Sequence, residues 1–126
     1  MKYEEFISRV AQNAELSEED AARLTRATLA TLAERITGGE AQDLAAQLPA
    51  PLQTALISAH ENAEAFSFEE FVKRTAERAG TDPDVAEVAI DAVLATLRDA
   101  VTPGEFDDVL SQLPADFHRL GASRPP

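Results

Sequence analysis

The chain has 126 residues, 44% of them apolar and 27% charged, and it contains no cysteine. That composition is globular rather than disordered, and the missing cysteine excludes disulfides, thiolate nucleophiles and thiolate metal sites. Eleven basic against 23 acidic residues give a net charge of −12. The acid is spread evenly, −6 on each side of a cut before Phe66, and such a field repels a phosphate backbone or an anionic membrane. The expectation is no nucleic-acid partner and no membrane partner.

The N-terminus, MKYEEFISRV, places acid where a secretory signal would be apolar, and no apolar run is long enough to cross a bilayer, so a cytoplasmic protein is expected. Tyr3, Phe6, Ile7, Val10, Ala11 and Ala14 then fall on one helical stripe. Ser17, with Asp20 three residues later, opens a second helix whose inner stripe is Ala21, Thr25, Thr28, Leu29, Leu32 and Ile36. Thr37 and Glu40 have the spacing of a capping box, in which the threonine oxygen and the glutamate carboxylate each take an end N–H. They start a short helix with Ala41, Leu44, Ala45 and Leu48 inward, and Pro49 stops it. Leu52, Ala55, Leu56, Ala59 and Ala63 keep helical spacing, which predicts a fourth helix running into the connection.

From Phe68 the chain starts again. An offset of 65 positions aligns residues 3–55 with 68–120 without a gap, and 20 of the 53 pairs are identical. Ser67 and Glu70 cap the first helix of the second copy, and Gly80 is placed to end it in a left-handed conformation. Asp82 and Pro83 open the next helix, whose stretch from Val85 to Val101 is apolar on most of its circumference and reads as the central, most buried helix. Thr102, Pro103 and Glu105 repeat the capping-box start, followed by Phe106, Val109, Leu110 and Leu113, and then by Pro114. No segment alternates with period two.

The expected fold is all-α. It comprises about seven or eight helices in one domain, with repeat 1 over residues 2–59, a connection at 60–66, repeat 2 over 67–120 and a disordered tail at 121–126. Two copies are too few for a solenoid, so a pseudo-symmetric bundle is expected, each copy covering the other's apolar side.

The paired phrases TLAERITGGEAQDLAAQLP and TLRDAVTPGEFDDVLSQLP, with YEEF and FEEF at the head of each copy, resemble the bacterial family catalogued as domain of unknown function 2267. The resemblance spans about residues 2–120. It implies an all-helical, soluble bacterial protein and implies no activity, cofactor or catalytic residue.

The chemistry-bearing residues are few. His60 and Glu64 stand four apart but have no evident third ligand, and His118 lies outside the repeated design. No serine sits in a G-x-S-x-G elbow, and Gly38-Gly39 lacks the lysine of a phosphate loop. Catalytic, cofactor and metal residues are therefore expected to be none. Glu5 with Arg9, and Glu70 with Arg74, have the spacing of surface ion pairs.

What the scaffold does not absorb is a polar stripe of Glu40, Asp43 and Gln47, repeated as Glu105, Asp108 and Gln112. Each stripe falls within about 60° on its helix. It is a candidate interaction surface, weighed against a local role, either an aspartate–glutamine i,i+4 pair on a solvated face or a glutamine that satisfies backbone freed by the proline. The leading expectation is a non-enzymatic module that binds another protein or itself. The alternative is a small-molecule carrier with an apolar pocket between the repeats.

Overall fold

The computed structural model describes residues 1–57 and 62–118. Among these described residues seven α-helices follow in order: α1 Tyr3–Ala14, α2 Glu18–Arg35, α3 Gly38–Ala46, α4 Ala50–Gln53, α5 Phe68–Ala79, α6 Pro83–Ala100 and α7 Pro103–Ser111. Single 3-10 turns close each copy, at Thr54–Leu56 and Ala115–Phe117. There is no strand among the described residues, so the fold is all-α. The expected tail at 121–126, like His60, Ala59 and Leu120, lies outside the described residues.

The helix starts follow the sequence signals. Ser17, Thr37, Ser67 and Thr102 each accept the N–H three residues on, at 3.1, 3.2, 3.1 and 3.2 Å respectively. Asp82 precedes α6 without a side-chain cap, where Pro83 has no N–H to satisfy. Gly80 ends α5 at φ 66°, while α1 ends on Glu15 at φ 56°. A glutamate there accepts backbone strain that glycine avoids.

Long helices make the body. α1 packs on α2 and on α6, α5 packs on α6 and on α2, and α2 crosses α6. The long helices thus touch across the copies as well as within them, and one apolar cluster runs from Phe6, Leu32 and Leu52 to Phe71, Leu97 and Phe117. Phe117 is fully buried, edge-on to Phe68 at 5.0 Å and to Phe71 at 4.9 Å.

Two expectations need correction. The fourth helix does not reach the connection: it stops at Gln53, tightens into a 3-10 turn and becomes extended at Ile57, with ψ 118°. Ala63 lies in irregular chain, where the neighbouring Glu64 N–H bonds to the Glu34 carbonyl at 2.9 Å. The apolar spacing continues in the sequence, yet at Glu64 the backbone bonds across to α2 rather than along a helix.

Nor is α6 more buried than α2, which has nine buried residues to its eight. Val85 and Val88 are 37% and 52% exposed, and α2 shares the centre. The core face of α2 carries threonines. Thr28 and Thr31 hide their hydroxyls by donating to the carbonyls of Leu24 and Ala27, at 2.7 and 3.0 Å. Thr31 also accepts from Thr75 and from Arg78, which ties α2 to α5.

Ion pairs repeat at the same offset. Arg9 meets Glu5 and Asp99, and Arg74 meets Glu70 and Glu34. Arg74 reaches further, to Glu64 and over the Phe66 ring at 4.0 Å. Arg78, with Arg74, holds the Glu34 carboxyl below its ordinary range.

Candidate functional site

The short helices α3 and α7 pack against each other and bring the two polar stripes together. How they meet begins with the two Thr-x-x-Glu starts. In a complete capping box the glutamate returns to the N–H of the capping residue. Here a glutamine from the other copy takes that place. Gln112 Oε1 accepts the Thr37 N–H at 2.8 Å, and Gln47 Oε1 accepts the Thr102 N–H at 2.8 Å. Gln47 Nε2 adds a 3.4 Å contact to the Thr102 hydroxyl. The Gln112 carbonyl is held in turn by Arg35 at 2.7 Å.

Each glutamine therefore finishes a helix 55 or 75 positions away. Neither a local Asp–Gln pair nor a proline-freed carbonyl accounts for it.

Relieved of capping, the glutamates turn toward one another. One carboxylate oxygen each from Glu40, Asp43 and Glu105 lies within 4.8 Å of the other two. Asp43 is exposed, Glu40 half-buried and Glu105 only 8% exposed. Oε2 of Glu40 and Oε2 of Glu105 are shut from solvent, with no hydrogen-bond donor. Burial, first, and then the neighbouring Glu40, Asp43 and Asp108 push the Glu105 carboxyl up to about 8. One proton shared between Glu105 and Glu40 is the internal relief open to the pair.

The six stripe residues thus do not form one free surface. Gln47 and Gln112 serve as caps, Glu40 and Glu105 face each other, and Asp43 and Asp108 stay exposed on the flanks. Helical spacing placed each stripe on one side of its helix but carried no information on what that side meets. His60, whose spacing to Glu64 suggested a metal ligand, lies outside the described residues, and this cluster is built of carboxylates alone. The identical Glu-x-x-Asp in both copies was the available signal.

Elsewhere, an open cleft of about 290 Å³ is lined by Arg98, Asp99, Pro103, Phe106 and Asp107. All five belong to the second copy, so this cleft is not a pocket where the copies meet. No described helix is long and apolar enough to cross a membrane.

No curated protein matches this sequence. The model of the family described as "uncharacterized conserved protein", DUF2267, matches residues 3–120, and the chain belongs to that family.

Proposed function

We propose that the chain is a non-enzymatic interaction module of the cytoplasm, binding another protein or a second copy of itself. The observation that supports this reading is a difference between the two copies on the first turns of α6. Val85 and Val88 stand there one turn apart, 37% and 52% exposed. Sixty-five positions earlier the same places on α2 hold Asp20 and Arg23, joined at 3.2 Å. The scaffold is therefore compatible with a solvated ion pair at these positions, and the core does not require valine. Full burial of a valine contributes on the order of 1.5 kcal/mol or more, which a partner would recover. Ile57, 76% exposed, adds a further apolar side chain to the surface.

Val85→Asp with Val88→Arg, which writes the first copy's pair into the second, tests the reading. Self-association is followed by sedimentation over a concentration series, and heterologous binding by crosslinked capture from the native host. Association at least tenfold weaker, with melting nearly unchanged, is the expected result. Equal association by the double variant, or no association by the unaltered chain, overturns the proposal.

A further inference from the structure

We propose that Glu40 and Asp43 of α3 and Glu105 of α7 form a binding site for one oxygen-seeking divalent cation, of the calcium, manganese or magnesium class, bridging the two copies. This inference is independent of the interaction reading.

Three observations carry it. The first is geometric: three carboxylate oxygens lie within 4.8 Å of one another. Calcium binds oxygen at about 2.3–2.6 Å, so ligands around one ion stand no more than about 5 Å apart. The spacing falls within the ligand span of a single calcium ion, and a small inward turn of the side chains would bring it within that of manganese or magnesium.

The second observation is burial without a donor. Glu105 is more than nine-tenths buried and aimed into the cluster, and its Oε2 has no partner, as is also true of Glu40 Oε2. A carboxylate shut from water in this way is strongly disfavoured unless a charge or donor meets it. Among the described residues no ion pair to Glu40, Asp43 or Glu105 is formed, although arginines are paired at many other acids, including Glu34, Glu64 and Asp99. The protein leaves its most buried acid cluster without a cation of its own.

The third is how the glutamates come to be available. Their ordinary work at the third helical position is done instead by Gln47 and Gln112. The side chains are thereby released from the helix starts and held toward the space between α3 and α7. The exposed Asp43 leaves one side open to water, which supplies the remaining positions of a hard cation and a route of entry. Histidine and sulfur are absent from the cluster, which disfavours zinc and copper.

The test uses the full chain freed of metal by a chelator. Binding of Mn2+ is counted by the loss of its free paramagnetic signal, and binding of Ca2+ and Mg2+ by calorimetry. One saturable ion per chain, with melting raised by the bound ion, is expected. Glu105→Gln and Asp43→Asn should each weaken binding at least tenfold. Glu18→Gln with Glu19→Gln, remote exposed acids, should leave it within twofold. Because Asp43 is exposed, its variant tests the site even if Glu105→Gln disturbs packing, and circular dichroism confirms the helices in each. Absence of a saturable site for all three ions at millimolar concentration overturns the proposal and leaves a shared proton as the relief of the pair. Stoichiometric binding that survives both Glu105→Gln and Asp43→Asn overturns it equally.

Discussion

Replacing Glu105 by glutamine should leave stability at pH 5 nearly unchanged and raise it at pH 9. In the metal-free folded protein the Glu105 carboxyl is pushed up from 4.5 to about 8, so the folded chain holds this proton more tightly than the unfolded chain does. The favourable contribution is complete below the unfolded value and is lost as pH rises toward 8, above which both forms are ionised. At about 1.36 kcal/mol per pH unit, the interval sets a ceiling near ~5 kcal/mol. An independent gauge comes from the charges: two carboxylate oxygens at the 4.8 Å outer limit of the cluster, in an effective dielectric of about 20, repel by ~3.5 kcal/mol. A loss of about 2 to 4 kcal/mol between pH 5 and pH 9 is therefore expected of the unaltered chain, a large part of the 5–15 kcal/mol typical of a domain. Glutamine keeps the shape and removes the charge. Urea midpoints for both proteins, taken each pH unit from 5 to 9 with chelator present, isolate the effect from the general repulsion of a chain with net charge −12. The variant should match the unaltered chain at pH 5 and exceed it by about 2 to 4 kcal/mol at pH 9. Parallel curves would refute the reasoning, because the carboxyl would then be no harder to ionise folded than unfolded.

Other substitutions follow from the same contacts. Gln47→Ala or Gln112→Ala removes the acceptor for an end N–H and should cost about 0.5–1 kcal/mol each, seen as a lower melting temperature. Thr25→Val should stabilise by about 1 kcal/mol in urea unfolding, since the buried Thr25 hydroxyl has no partner and Ile90 holds the matching place in the other copy. Gly39→Ala and Gly104→Ala, where an added Cβ meets nothing within 4 Å, should each raise stability by up to about 1 kcal/mol. Gly80→Ala should lower it by about as much, because φ there is 66°.

Much of the fold was legible because its signals are local. Ser17, Thr37, Ser67 and Thr102 cap through the N–H three residues on, and the stripes from Phe6 to Ala14 and from Phe71 to Ala79 bury as their spacing requires. What the sequence hid depends on partners far along the chain. Thr37 and Glu40 have the spacing of a complete capping box, yet the glutamate's half of it belongs to Gln112. Val85 and Val88 look like core by composition, and only the packing of α6 leaves them outside. The candidate site was half visible: the repeated Glu-x-x-Asp named the residues, while the convergence of Glu40, Asp43 and Glu105 follows from the meeting of α3 and α7.

The reciprocal caps give two backbone amides an unusual reporting role. An end N–H usually exchanges with solvent whenever its own helix frays. Those of Thr37 and Thr102 are instead anchored to side chains 75 and 55 residues away. Their hydrogen exchange should track separation of α3 from α7, so two spectroscopic signals would follow opening of that junction without any label.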